Sequence, residues 1–360
     1  MDNNIPFNSL PDLPPKADLE SPTLLKECIK ANKLLAELKG FCQTLPDPKL
    51  LINTLVLQES KDSSAIENIV TTQDELYKAV ISMDEVHQGS SEAKEVLLYR
   101  EAIYYGLKMM NQRGLTTNTM VAVMQKLKNT TEGIRKNSGT KLANPATKEI
   151  IYTPPEGENI IRAKLKALEE YIHNKEDDTD TLIKMALMHY QFEAIHPFTD
   201  GNGRTGRILN VLYLVKNELL NLPVLYLSSF IIKNKSLYYK LLKGVTAKGM
   251  WHEWIMYMLQ AVSQTAGLTL NKISSIQQLK DETIVIAKEA LKSAYNRDIV
   301  DLIFSYPYIK INTVINNKIA HRQTASAHLK KLSASGILTP HKKGKEIYYI
   351  NHRLMNLLSN

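Results

Sequence analysis

The feature that most constrains this 360-residue chain is a pair of apolar helix faces separated by a glycine-rich stretch. Ile183, Leu187, Tyr190 and Ala194 step by four, three and four, and Ile208, Leu212, Val215 and Leu219 repeat that step. This is the spacing of one face of an α-helix. Between them lies His196-Pro-Phe-Thr-Asp-Gly-Asn-Gly-Arg-Thr-Gly-Arg207. That stretch is expected to carry the chain from one helix into the next, the second starting near Gly203.

The stretch has the chemistry of a phosphate site. Gly201, Gly203 and Gly206 fit G-x-G-x-x-G, but a dinucleotide fingerprint needs a buried strand before it and an acidic residue about 20 positions on. Here a helix precedes it and position 221 is Asn. A P-loop is excluded because no Gly-Lys-Ser/Thr follows. What remains is the N-terminus of a helix, where free N–H groups and the helix dipole hold anions. Arg204 and Arg207 lie three apart on one face and can grip further phosphate oxygens. Asp200 is a hard oxygen ligand suited to Mg²⁺. His196 can take a proton near neutral pH, which a binder does not need and a transferase does.

The order H-P-F-x-D-G-N-G-R-x-x-R resembles the signature of the Fic family at every defined position, and the resemblance covers roughly residues 60–260. It implies a mainly α fold with a helical core and a small β-hairpin flap, and AMP transfer from ATP to a Tyr, Thr or Ser hydroxyl of a protein. His196 would deprotonate the hydroxyl and pyrophosphate would leave. Asp200 would hold Mg²⁺. Gly201, Asn202 and Gly203 would form the anion hole, with Thr205 and Gly206 in the same phosphate-binding turn. Arg204 would hold the β-phosphate and Arg207 the γ-phosphate, with Phe198 buried as an anchor. Glu149, Ile150, Ile151 and Tyr152 match the flap that pairs with the target backbone, in a segment rich in β-branched and aromatic residues. Tyr238 and Tyr239 match a tyrosine pair lining the adenine pocket, or else pack in the core. The Asn often seven residues further on is Thr246 here.

Upstream, Ser63, Glu67 and Asn68 resemble the family's inhibitory motif, [S/T]-x-x-x-E-[G/N], on a helix expected at about 61–70. The resemblance implies that Glu67 pairs with Arg207 and blocks productive ATP binding.

The domain reading is a proline-rich extended arm (1–22), N-terminal helices (23–90), the Fic core (91–266), a connecting helix (267–296) and a C-terminal module (297–360). The net charge of +8 is concentrated in that module, where ten basic residues face Asp298, Asp301 and Glu346. Its three helical segments and a hairpin with a basic tip resemble a winged helix-turn-helix. Under a DNA reading, Arg322, Gln323, Thr324 and Ser326 would start a recognition helix, and Lys342, Lys343 and Lys345 would meet phosphates. Such modules also dock proteins.

Two cysteines without metal spacing, no basic start followed by an apolar run, and no stretch of about 18 apolar residues give the expectation of a cytoplasmic protein without a membrane span. A homodimer stays open. So do two other functions: a DNA-binding regulator whose Fic domain senses ATP, and a Fic enzyme that uses another nucleotide or removes AMP.

Overall fold

A computed structural model describes residues 2–44, 48–81, 90–143, 147–343 and 346–359. The chain is mainly helical. In order it runs α1 (Pro22–Thr44), α2 (Pro48–Ile66), α3 (Gln73–Ile81), α4 (Ser91–Arg113), α5 (Thr117–Lys128), β1 (Leu142–Ala143), β2 (Ile150–Tyr152), α6 (Glu158–His173), α7 (Thr181–Ile195) and α8 (Asn202–Lys216). Then follow α9 (Ser228–Lys233), α10 (Lys235–Lys248), α11 (Trp251–Leu291), α12 (Arg297–Ser305), β3 (Tyr308–Ile309), α13 (Ile311–Asn316), α14 (Arg322–Ala334), β4 (Thr339–Lys343), β5 (Glu346–Ile350) and α15 (His352–Ser359).

The core forms around α7 and α8. Nearly every residue of α7 from Leu182 to Ile195 is buried, Glu193 being the partial exception. A helix that is buried all round, Lys184, His189 and Gln191 included, belongs at the centre of its domain. Gly206 lets α8 approach α7, because a Cβ there would lie 2.5 Å from Glu193 Oε1 and 3.1 Å from the Phe192 ring. The helix α1 buries Leu24, Cys28, Ala31, Leu35, Leu38 and Cys42, a 4-3-4-3-4 ladder that packs on α11. Ile29 falls outside the ladder and is exposed. Both cysteines are free thiols, and burial pushes Cys42 up to about 11.

The proline-rich start is extended, as its composition dictates, and it is docked. Phe7 N donates to Thr153 O at 3.0 Å and Asn3 Nδ2 to Ile150 O at 3.3 Å. Gln191 on α7 donates to Pro11 O, and Leu10 is fully buried. The arm therefore lies along β2, which on its other side pairs antiparallel with β1, Leu142 opposite Tyr152.

One boundary differs from expectation. No break separates core from connector at residue 267, because α11 runs unbroken for 41 residues. Gly267 sits in mid-helix with open space around it. One glycine costs a helix only about 1 kcal/mol relative to alanine, and α11 packs on α1, α7 and α10 at one end and on α12, α14 and α15 at the other.

In the C-terminal module, α12, α13 and α14 stand with a three-stranded antiparallel sheet of order β3-β5-β4. Thr339 pairs with Ile350, and Lys342 with Ile347. Ala325, Leu329 and Leu332 form the buried face of α14, while Arg322, Gln323 and Thr324 are exposed and Ser326 is partly buried. Lys342 is exposed near the hairpin tip, Lys343 lies on β4, and Lys345 falls outside the described residues. The module docks on the N-terminal helices. The Tyr308 hydroxyl donates to Asp74 at 2.6 Å, its ring stacks on Tyr77, and α12 packs on α2. No helix among the described residues is long and apolar enough to cross a membrane.

Candidate active site

The loop between α7 and α8 is built by its own residues. His196 caps α7 in the left-handed region, at φ 49° and ψ 58°, and its N–H donates to Phe192 O at 3.0 Å. Arg135 holds the loop from outside. Its Nε donates to His196 O at 2.8 Å, its N–H to Pro197 O at 3.0 Å and its Nη2 to Pro155 O beyond the flap. Phe198 is fully buried against Phe192. Asn202 clamps both sides of Phe198, accepting from its N–H at 2.9 Å and donating to its carbonyl at 2.8 Å. The Asn202 side chain is thus spent on the loop.

Gly201, at φ 82°, sets the start of α8. Its N–H donates to Asp200 Oδ1 at 2.6 Å, so an anion at this helix end would be met by the N–H groups that follow it in the first turn of α8. The Thr205 hydroxyl is buried with no hydrogen-bond partner in the structure.

Burial lowers the His196 imidazole to about 4, with the nearby Arg135 charge adding to the effect against the Glu193 carbonyl, Glu67 and Asp200. It is therefore neutral at pH 7. Its Nδ1 is buried with no hydrogen-bond partner within normal distance.

The helix α2 ends at Ile66, short of the expected 70. Glu67 follows it, and Asn68 takes the left-handed conformation at φ 63° while Ile69 N reaches back to Ser64 O. Asn and Gly are the residues that tolerate that position after a helix, which accounts physically for the last position of the Ser-x-x-x-Glu-Asn segment. The Asn68 amide oxygen accepts from Lys235 Nζ.

Ser63, Glu67 and Arg207 meet. Arg207 Nε donates to Ser63 Oγ at 2.8 Å, and its Nη2 donates to Ser63 O at 2.9 Å and to Glu67 Oε1 at 2.8 Å. Arg207 is 1% exposed. Burial opposes its charge, but Glu67 more than restores it and raises the guanidinium above its ordinary value. The Glu67 carboxylate lies over the start of α8, since a Cβ on Gly203 would come 2.3 Å from Glu67 Oε1.

The other charges of the stretch are also paired. Arg204 Nη1 donates to Glu95 Oε2 at 2.7 Å, and Lys128 Nζ lies 2.7 Å from Asp200 Oδ2. Burial pushes the Asp200 carboxyl up, but the hydrogen bond and charge of Lys128 outweigh it and hold it below its ordinary range. Asp200 is the residue here that fits a cation, since one carboxylate oxygen beside a phosphate site is how Mg²⁺ enters with a nucleotide. No cluster of three or more His, Cys, Asp or Glu that could hold a metal unaided occurs among the described residues.

The flap and the tyrosine pair complete the surroundings. Ile150, Ile151 and Tyr152 form β2, and Glu149 precedes it as exposed coil. The Tyr152 hydroxyl donates to Ala194 O at 2.8 Å and pins the flap on the last turn of α7. Tyr238 and Tyr239 divide. Tyr238 is buried, its hydroxyl 2.8 Å from His189 Nε2, in a cluster with Trp254 and Tyr257. Tyr239 is exposed. Thr246 is spent on the Tyr190 hydroxyl at 2.9 Å.

Four residues near the site were not picked out from sequence. Glu95 and Lys128 come from α4 and α5. Glu193, three residues before His196, sits against Gly206, and burial raises it to about 7. Glu59, one turn before Ser63 on α2, is raised by burial to about 7 and takes hydrogen bonds from the Ser228 N–H, the Ser228 hydroxyl and Tyr99. Isolated glutamates and lysines carry no local pattern. For Glu59, the spacing 59, 63, 67 along one face was the available signal.

Comparison with known proteins identifies the family and the fold. Residues 25–108 match the Fic/DOC family N-terminal model, 114–214 the Fic/DOC family model, and 279–354 the model for the C-terminal domain of SoFic-like protein adenylyltransferases. A probable protein adenylyltransferase of Aquifex aeolicus is 39% identical over 97 residues, 26% of this chain and 27% of that protein. The protein adenylyltransferase fic-1 of Caenorhabditis elegans is 34% identical over 67 residues, 18% of this chain and 13% of that one. The match thus spans about a quarter or less of either relative. A crystal structure of a Fic family protein from Desulfovibrio desulfuricans superposes with a TM-score of 0.61 at 18% identity, over 94% of this chain and 98% of that one.

Proposed function

Since this chain belongs to the Fic family, we propose that it is an autoinhibited protein adenylyltransferase, moving AMP from ATP to a Tyr, Thr or Ser hydroxyl of a protein, itself included. The observation that carries the proposal is the pairing of buried Arg207 with Ser63 and Glu67, beside a neutral His196.

In the proposed reaction His196 Nε2 takes the proton from the target hydroxyl. The hydroxyl oxygen bonds to the α-phosphorus, the bond from that phosphorus to the bridging oxygen breaks, and pyrophosphate leaves. The first-turn N–H groups of α8 stabilise the charge on the α-phosphoryl oxygens, where preorganised donors contribute most. Arg204 and Arg207 hold the β- and γ-phosphates. Tyr239 offers its ring to the adenine, and buried Tyr238 supports it from behind. Asp200 would hold Mg²⁺, which supplies charge neutralisation on the phosphates. The flap, with its backbone along Glu149–Tyr152, aligns the target by main-chain pairing.

Glu67 is the brake. Its carboxylate occupies Arg207 and the space over Gly203, so ATP that enters is held out of line, and a misplacement of about 1 Å costs on the order of 10²-fold in rate. Incubation with labelled ATP and Mg²⁺ tests the proposal: His196→Ala is expected to abolish AMP transfer while retaining ATP binding, and transfer by that variant removes the base assignment.

A second role is proposed for the C-terminal module. The helix α14 carries no acidic residue and exposes Arg322, Gln323, Thr324, Lys330 and Lys331, a face suited to nucleic acid. A gel shift with the full chain at low salt is expected to retard duplex DNA and to lose the effect as salt rises. Absence of any shift at low salt removes this role.

A further inference from the structure

Arg204, Glu95, Lys128 and Asp200 form one alternating chain of charges. Arg204 Nη1 meets Glu95 Oε2 at 2.7 Å, Glu95 Oε2 lies 3.7 Å from Lys128 Nζ, and Lys128 Nζ meets Asp200 Oδ2 at 2.7 Å. The two ends of this chain belong to the loop that opens α8. The two middle members come from elsewhere, Glu95 from the first turns of α4 and Lys128 from the last turn of α5. The order of signs, plus, minus, plus, minus, is that of a guanidinium, a phosphate, a divalent cation and a carboxylate.

We propose that Glu95 and Lys128 are nucleotide-site residues that together imitate a metal-bound phosphate, Glu95 standing on Arg204 where the β-phosphate goes and Lys128 standing on Asp200 where the cation goes. This rests on the reading of Arg204 and Asp200 given above. With Glu67 on Arg207, each charged side chain of the stretch Asp200–Arg207 then holds an internal stand-in for one part of the substrate.

The need for such stand-ins follows from burial. The Arg204 side chain is 2% exposed, and a buried cation without a counter-charge is strongly destabilising. Two buried arginines side by side therefore require anions whenever no nucleotide is bound. Glu95 and Lys128 are more open, at 35% and 24% exposure, so they can swing out at little cost. The alkyl chain of Lys128 lies over Gly201, its Cγ 3.3 Å from where a Cβ would be, which places the ammonium at the mouth of the α8 N-terminus. The Lys128–Asp200 pair, 24% and 67% exposed, is of the open kind whose removal changes an equilibrium constant by roughly two- to fivefold.

The sign of the effect separates this proposal from a simple supporting role. If Glu95 merely positioned Arg204, its loss would weaken ATP binding. As an imitation that must be displaced, its loss tightens binding.

The test is calorimetric titration of ATP into the full chain in the His196→Ala background, which prevents turnover. With Mg²⁺ present, Glu95→Gln and Lys128→Met are each expected to tighten ATP binding, Lys128→Met by about two- to fivefold. With EDTA in place of Mg²⁺, Lys128→Met is expected to weaken binding, because Asp200 then faces the phosphates uncompensated. Lys128→Arg keeps the parent behaviour in both conditions. Glu95→Gln is also expected to lower the melting temperature of the nucleotide-free protein. Equal or weaker Mg²⁺-dependent binding by Glu95→Gln and Lys128→Met overturns the proposal. Asp200→Asn provides the separate check: if it leaves the gain in affinity from Mg²⁺ intact, the metal assignment itself is wrong, whatever the other two variants do.

Discussion

At the scale of single residues, the environment of His196 makes a definite statement about pH. Burial holds the imidazole at about 4, so it stays in its basic form down to about that pH. The acid limb of kcat/KM for AMP transfer is expected near pH 4 rather than near 6.5, measured with an uninhibited variant. The same burial sets a stability trend. The unfolded chain protonates His196 and His189 near 6.5, whereas burial depresses both in the folded state, His189 to about 3. The unfolded state then binds more protons between these values. Their contribution to stability is full above 6.5 and is lost as pH falls toward 4 and below. A melting temperature that rises on acidification from pH 6.5 to 5 in the parent but not in His189→Gln contradicts this.

At the scale of elements, the end of α2 shows what was legible and what was not. The segment Ser63 to Asn68 is continuous, so its pattern could be read from the chain. Its geometry could not, because the left-handed turn at Asn68 puts Glu67 just past the helix rather than within it. Asn68→Ala is expected to destabilise the protein by about 1 kcal/mol, measured by chemical denaturation, with Asn68→Gly close to the parent. The helices around the loop were legible for a similar reason, since 4-3-4 steps write one face directly into the sequence. Glu95 and Lys128 were not, because their partners lie 109 and 72 positions away and only the packing of α4 and α5 beside α8 brings them together. The tyrosine pair was legible as a pair. The division into a buried Tyr238 and an exposed Tyr239 depends on how α10 rolls against α11.

At the scale of the whole molecule, the C-terminal module is joined to the helix that leads into Glu67. The helix α11 runs from the core into the module, while α12 packs on α2 and Tyr308 binds Asp74 and Tyr77 of α3. The helix that leads into Glu67 is thus held twice, through Glu67 by Arg207 in the site and through its own packing on α12. Tyr308→Ala removes a buried ring, a change that costs about 3 kcal/mol in a packed core. It is expected to lower the melting temperature and to raise basal AMP transfer. A lower melting temperature with unchanged transfer would separate the module from the brake. This long-range arrangement was the least legible part of the chain, because the sequence was divided into a core to 266 and a connecting helix from 267 where the structure has one continuous helix.

The central claim is that an intact transferase site is held off by one carboxylate. Mass spectrometry of the full chain carrying Glu67→Gly, incubated with ATP and Mg²⁺, tests it most directly. The account predicts a mass gain of one AMP on the protein itself, weak or absent in the parent and abolished when His196→Ala is added. No adduct in Glu67→Gly, or an adduct of equal extent in the parent, would contradict it.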